Sequence, residues 1–301
     1  MSSIRELARA KVNLTLRVLG RRTDGFHALE SLVAFAETHD VLELAAGEGL
    51  SLHIEGAFAD GLGPDNLVLR AAEAAEAVNP DLRLGQFHLT KHLPVAAGLG
   101  GGSADAAAAL RLIARANPGA LSEEALASIA TPLGSDVAVC LASQPALIFG
   151  RGEIVRTVRG FPACGIVLAN PRVALSTASV YGALDAPRLA QDSVGATEPP
   201  DFHGDFAALI DYVLPRGNDL EAAAARLAPS INEVLAALTG LPGGRVARLS
   251  GSGPTCFALF ASEEQARHAA AVLTDKHPDW WIAATALTSP RRGEVGRKAA
   301  G

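Results

Sequence analysis

Residues 94–109 read PVAAGLGGGSADAAAA, after a strand-like segment and at the head of an alanine-rich stretch. Four glycines, Gly98, Gly100, Gly101 and Gly102, free the backbone to turn sharply and to approach a ligand closely. Ser103 is a residue type that caps helix N-termini, and the spacing predicts a helix over 103–116. Amides in such a turn, together with the positive end of a helix, make an anion site, and a nucleotide phosphate is the anion they suit. A flexible linker is the plainer reading, but linkers are seldom followed at once by a capped helix. The spacing also excludes other phosphate loops. Counting G-x-G-x-x-G from Gly98 puts Ser103 at the last position, and counting from Gly100 puts Asp105 there. No Gly-Lys dipeptide exists for a P-loop, and Ser250-Gly251-Ser252-Gly253 has the wrong order for a nucleophile elbow.

Two isolated charges stand in apolar surroundings on either side of this segment. Residues 8–16, ARAKVNLTL, carry Lys11 on an otherwise apolar strand, and Gly134-Ser135-Asp136-Val137 sets Asp136 at the head of an apolar run. Such charges need a partner or a chemical task, and taken singly the two are also compatible with a structural ion pair. A second glycine loop, in 248–260 (RLSGSGPTCFALF), joins two strand-like runs and on its own is compatible with a plain hairpin.

Period-two alternation predicts strands over 10–19, 51–54 and 84–91. Helical spacing predicts one helix over 66–78 and another capped by Ser122, with Glu123 and Glu124 in its first turn. Past a Gly-Phe-Pro junction near residue 160, residues 166–168 read as a strand and 218–227 and 230–238 as helices. Residues 245–287 read strand, glycine turn, strand, helix, strand, with Ser262 and Gln265 at capping-box spacing. The expectation is an α+β protein with a mixed α/β nucleotide-binding domain over 1–160 and a split βαβ domain over 161–288. Residues 185–206 are expected as a surface excursion and 289–301 as a loose basic tail, with Trp281 in the core and Trp280 as a surface cover.

Composition excludes several classes. The 301 residues carry 26 Lys and Arg against 32 Asp and Glu, a formal net charge of −6, so nucleic-acid binding is not expected. At 49% apolar residues the chain can bury a large core. Cys140, Cys164 and Cys256 are odd in number and set in apolar runs, and read as buried free thiols in a reducing, cytoplasmic setting. Arg5, Glu6, Arg9 and Lys11 interrupt any signal-peptide core, and no apolar run of about 18 residues follows, so neither export nor a membrane span is expected. His88 and His92 stand four apart on an apparent strand without the Glu of H-E-x-x-H, and no zinc site is expected of them.

Lys11, the Pro94–Ser103 loop and the Gly251-Ser252-Gly253 loop, in that order and spacing, resemble the three signatures of the GHMP kinase superfamily. Gly20 to His27 (GRRTDGFH), Asp65-Asn66-Leu67, Ser176 to Tyr181 (STASVY) and Asn218-Asp219-Leu220-Glu221 extend the likeness over nearly all of 5–287. They point to a branch that acts on a cytidine diphosphate-bearing substrate of the non-mevalonate isoprenoid route. The resemblance implies a two-domain GHMP kinase fold with a ferredoxin-like C-terminal half, and an ATP- and Mg²⁺-dependent kinase acting on a 2-hydroxyl. It implies Lys11 and Asp136 as the catalytic pair. It implies an ATP loop of Pro94, Val95, Ala96, Ala97, Gly98, Leu99, Gly100, Gly101, Gly102, Ser103 and Ala104, with Asn66 and Lys91 near the adenosine. On the substrate side it implies Asn13, Phe26, His27, Thr177, Tyr181, Gly251, Ser252 and Gly253. Phe26 and Tyr181 are then expected to sandwich the pyrimidine while His27 addresses its polar edge. The family usually has tyrosine where Phe26 stands, so no phenolic hydrogen bond is implied there. The Mg²⁺ ligands are left open, and a monomer or weak homodimer is expected. Two other readings are a homoserine or mevalonate type of kinase, whose substrates offer no base to stack, and a nucleotide-binding protein without catalysis, which has no need of both Lys11 and Asp136.

Overall fold

The computed structural model describes residues 3–47, 49–63, 65–190 and 197–287. The expected tail at 289–301 and residues 191–196 of the expected excursion lie outside the described residues. The first half contains β1 (Ser3–Asn13), β2 (Arg17–Arg21), β3 (His27–Ala45), β4 (Ser51–Glu55), α1 (Leu67–Val78), β5 (Gln86–Thr90), α2 (Gly101–Ala116), α3 (Glu123–Leu133), α4 (Val137–Ala142), β6 (Ala146–Gly150) and β7 (Ile154–Thr157). The second contains β8 (Cys164–Asn170), α5 (Thr177–Gly182), α6 (Phe206–Val213), α7 (Glu221–Leu227), α8 (Ser230–Thr239), β9 (Val246–Leu249), β10 (Cys256–Phe260), α9 (Glu263–Lys276) and β11 (Trp281–Leu287).

The centre of the molecule is β3, a 19-residue strand buried along most of its length. It pairs antiparallel with β1, β2, β5 and β6, while β4 adds to β5 in parallel. Buried on both faces, β3 shows no period-two alternation, and this is why sequence pattern does not reveal it. The expected strand over 10–19 is two strands, because the chain bends within the core at 14–16 and the Leu16 amide donates to the Gly217 carbonyl at 3.0 Å. In the second half the order β11-β8-β10-β9 with every pairing antiparallel is the ferredoxin-like arrangement. One sheet continues through both halves by the pair Leu287 and Ala36. One apolar cluster likewise mixes Val12, Leu14 and Leu32 with Ile166, Leu168 and Phe257.

Helix starts follow local chemistry. Asn66 accepts from the Val68 amide at 2.9 Å, Ser122 from Ala125 at 3.1 Å and Ser262 from Gln265 at 3.3 Å. The helix after the glycine loop differs from expectation. α2 begins at Gly101, Gly100 stands at its N-cap with φ 63°, and Ser103 lies inside the first turn instead of capping it. A left-handed bend at the cap needs a glycine, and Gly100 supplies it. Ala104 and Ala106 to Ala109 are all buried, so their small side chains let α2 lie close to β1 and α1. Trp281 is only half-buried, because burial along β11 deepens toward Leu287, where the strand meets β3.

Gly165, on the central strand β8, allows α9 to pack directly on the sheet. A Cβ there would overlap the Ser262 carbonyl and stand 2.9 Å from Ala266 Cβ. Gly165→Ala is therefore expected to cost about 1–3 kcal/mol or more by overpacking, read as a lower urea midpoint at unchanged slope.

Candidate active site

Lys11 sits where the β1–β3 register slips between Arg9 and Lys11, and such a bulge re-aims the side chain that follows it. Its Nζ lies 2.8 Å from Asp136 Oδ2 and donates to Asn13 Oδ1 at 2.7 Å. Lys11 is buried, while the Asp136 side chain keeps 30% exposure and makes no capping bond to α4. The acid is thus left facing the cleft with one cation beside it. Gly100 lies over this pair: a Cβ there would stand 3.2 Å from Lys11 Cε and 3.6 Å from Asp136 Oδ2.

The two glycine loops interlock. Gly98 has φ 75°, and a Cβ on it would overlap the Ser250 carbonyl and lie 2.9 Å from the Gly253 amide nitrogen. Ser250 Oγ donates to the Gly98 carbonyl at 2.9 Å and accepts from the Asn13 amide at 3.2 Å, tying both loops to β1. Asn218 Nδ2 donates to the Leu249 and Gly251 carbonyls, Glu221 accepts from the Leu249 amide, and Asp219 accepts from the Val18 amide. The Asn218-Asp219-Leu220-Glu221 motif is therefore a latch on the second loop and on β2, and α7 starts at its last residue, Glu221.

Behind the first loop lies a buried charge cluster. Lys91 pairs with Asp40 and, at 2.7 Å, with Asp105. Asp40 Oδ1 accepts from the His92 and Leu93 amides at 2.6 and 2.8 Å and so fixes the segment leading into the loop. Burial opposes the charge on Lys91, but the Asp105 and Asp40 carboxylates outweigh it and hold the ammonium above its ordinary range. Burial pushes the Asp105 carboxyl up to about 7, against the pull of Lys91 and with the help of the Asp40 charge. Its Oδ1 is buried without a hydrogen-bond partner, which suits a neutral carboxyl better than an anion.

Two clefts adjoin next to the Lys11–Asp136 pair, which lines the smaller of them. One, of about 420 Å³, is lined by Lys11, Asn13, Leu67, the loop and Asp136; the other, of about 830 Å³, by Phe26, His27, Arg151, Thr177 and Tyr181. They share Leu29, Ser135, Arg151, Thr177 and Tyr181. His27 and Tyr181 have ring centroids 4.9 Å apart at 31°. Phe26 is 52% exposed and faces the Arg151 guanidinium, 4.8 Å from its centroid. The direct ring contact is thus His27 with Tyr181, while Phe26, His27 and Tyr181 all line the larger cleft. Burial and the nearby Arg21 lower the His27 pKa, so a neutral imidazole offers one donor and one acceptor. Burial, then the Asp136 charge, push the Tyr181 phenol upward.

Ala96, Ala97, Gly98, Gly100, Gly101, Gly102, Ser103, Asn13, Gly251 and Ser252 line the smaller cleft. Leu99 and Ala104 turn into the core, Pro94 is buried, Val95 is exposed outside the cleft lining, and Gly253 packs against Gly98. Asn66 caps α1, beside the cleft-lining Leu67. Lys91 lies behind the loop, held by its two carboxylates, and lines neither cleft. Asp40, Asp105, Ser250 and Arg151 are not among the site residues expected from sequence. Of these, only Arg151 carries a local signal, being flanked by Gly150 and Gly152 in a turn where both have positive φ.

Residues 66–144 match the GHMP kinases N terminal domain and 201–279 the GHMP kinases C terminal. A 4-diphosphocytidyl-2-C-methyl-D-erythritol kinase of Rhodopseudomonas palustris (strain BisB18) is 48% identical over 295 residues, covering 95% of this chain and 96% of its own. The enzyme of that name from Parvibaculum lavamentivorans is 48% identical over 286 residues, covering 94% and 98%. The crystal structure of a 4-(cytidine 5'-diphospho)-2C-methyl-D-erythritol kinase superposes with a TM-score of 0.76 at 30% identity, covering 95% of this chain and all of its own.

Removing Lys91 leaves two buried carboxyls without their cation, so Lys91→Met is expected to cost about 3–5 kcal/mol in urea unfolding. Asp105 titrates near 7 when folded and near about 3.9 when unfolded, so between these values the folded state holds the extra proton. The stability it contributes is complete below the lower value and is lost as pH rises toward about 7. Unfolding free energies measured across that window should fall less steeply with pH in Asp105→Asn than in the wild type.

Proposed function

The chain belongs to the GHMP kinase family, in the branch of the 4-diphosphocytidyl-2-C-methyl-D-erythritol kinases, and on that premise we propose how its clefts move the γ-phosphoryl of ATP to the 2-hydroxyl of that branch's substrate. The observation that carries the reading is the Lys11–Asp136 pair, 2.8 Å apart in the glycine-loop cleft and next to Ser135, which that cleft shares with the aromatic one. A phosphoryl donor in the first and an alcohol acceptor in the second meet there. The loop amides and the N-terminus of α2, a 16-residue helix, hold the ATP phosphates. Asn66 lies toward the adenosine end, and Lys91 supports the loop from behind.

Phosphoryl transfer needs positioning and charge stabilisation more than covalent help. The Asp136 carboxylate orients the acceptor hydroxyl and takes its proton, while Lys11 offsets the negative charge of the group in transit. Asn13 holds the Lys11 ammonium in place. Asp136 and the hydroxyls of Ser103 and Ser135, all in the cleft lining, are oxygen donors of the kind Mg²⁺ takes, and they would hold it together with the phosphates. Mg²⁺ so bound would neutralise phosphate charge. Tyr181, His27 and Phe26 receive the cytosine, Arg151 lies on the route of the diphosphate, and Thr177, 2.8 Å from Ser252, closes the pocket beside the second loop. The three buried free thiols suit a cytoplasmic enzyme. A division near residue 160 falls between β7 and β8 and leaves an ATP half and a half that completes the acceptor site.

A coupled assay of ADP release tests the reading. Turnover is expected with 4-diphosphocytidyl-2-C-methyl-D-erythritol and not with homoserine or mevalonate. Asp136→Asn should lower turnover by about 10²–10⁴ with little change in ATP affinity, and near wild-type turnover would remove Asp136 from the mechanism. Tyr181→Ala should raise KM for the cytidine substrate by the loss of about 1–3 kcal/mol of stacking while KM for ATP holds. A rise in KM for ATP instead would put the aromatic pocket on the other ligand.

A further inference from the structure

Away from the clefts, the edge of the sheet presents three donor side chains that phosphoryl transfer does not use. The parallel register of β4 and β5 sets His53 opposite His88, and Glu55 follows on the same face of β4 because strand side chains repeat every two residues. The imidazole centroids are 4.7 Å apart at 56°, and His88 Nε2 lies 3.2 Å from Glu55 Oε1. One ligand atom from each of the three residues falls within 4.8 Å of the others. Leu52 and Ile54, the alternate residues of β4, pack inward on the core, so the donors stand on the outer face with their backbones fixed by the ladder. His92, the partner that sequence spacing offers to His88, lies beyond the end of β5 and outside this cluster.

We propose that His53, Glu55 and His88 form a binding site for a divalent ion of the zinc class. Two imidazoles and a carboxylate suit Zn²⁺, Ni²⁺ or Cu²⁺, whereas Mg²⁺ and Ca²⁺ take oxygen shells. A tetrahedral zinc with bonds of about 2.0–2.2 Å needs donor atoms roughly 3.3–3.6 Å apart. The His88–Glu55 spacing of 3.2 Å lies just under that range, and a rotation of the exposed His53 side chain would close the rest. A fourth position stays open to water. Glu43, opposite His88 on β3, adds negative charge along the same row. β4 is the terminal strand of the sheet, so a shared ion would clip an otherwise singly paired edge to its neighbour.

The test uses the full chain without an affinity tag, stripped with a chelator and titrated with zinc chloride by calorimetry. One equivalent is expected to bind and to raise the melting temperature by preferential binding to the folded state. His53→Ala and His88→Ala should each weaken zinc binding by about ten-fold or more, and the double variant should abolish it. All three variants should keep wild-type ADP release, because none of these residues lines either cleft. The readout is the metal alone, so it stands or falls independently of the kinase reading. A visible absorption band of four-coordinate Co²⁺ in the wild type, lost in the double variant, would support the site. No heat of binding in the wild type, or equal affinity in the double variant, overturns it.

Discussion

The active cleft depends on two backbone loops lying closer together than any side chain would allow. Gly98 and Ser250 are far apart in sequence, yet a single Cβ on Gly98 would overlap the Ser250 carbonyl. The Ser250 hydroxyl uses this closeness, donating to Gly98 and accepting from Asn13, so one side chain joins the phosphate loop, the second glycine loop and the lysine strand. Separating the loops would break these bonds and those of Asn218 together. The cleft between them is accordingly built into the fold, and binding need not assemble it.

The buried triad supports the same loop from the other side. Asp40 on β3, Lys91 after β5 and Asp105 on α2 converge behind Gly101, where a Cβ would stand 3.5 Å from Lys91 Nζ and 3.7 Å from Asp40 Oδ2. An apolar core at this point would fill the space, but it would not offer acceptors to the His92 and Leu93 amides that lead into the loop. Desolvating three ionisable groups is costly, and the cost falls if they carry one cation, one anion and one neutral carboxyl.

Much of this was legible in the sequence because it is written in local pattern. The glycine spacing, the lone Lys11 and Asp136 and the Asn66, Ser122 and Ser262 caps are short-range signals. β3 was not legible, since a strand buried on both faces carries no alternation, and Asp40 is hidden within it as one acid in a polar interval. Lys91 shows how sequence can mislead. The family resemblance put this lysine near the adenosine, and only the fold brings Asp40 and Asp105 to it. The residues of the aromatic pocket were legible in the sequence, but the His27–Tyr181 ring contact was not, because it depends on how the 20–27 segment lies over α5.

The interlocked loops and the buried triad both bear on the charge of the phosphate site. Asp136 is the one acid in the lining of the smaller cleft, and Lys11 stands against it. Behind the loop, Asp40 and Lys91 cancel, leaving Asp105 to decide the net charge of the triad. As an anion, Asp105 would put an uncompensated negative charge on the first turns of α2, against the positive helix end that attracts phosphate. As a neutral carboxyl it leaves that end intact. Burial pushes the Asp105 carboxyl up to about 7 and so favours its neutral form, and the same buried triad anchors the segment leading into the loop through Asp40. The desolvation that makes the cluster costly to build therefore also keeps the cradle attractive to an anion.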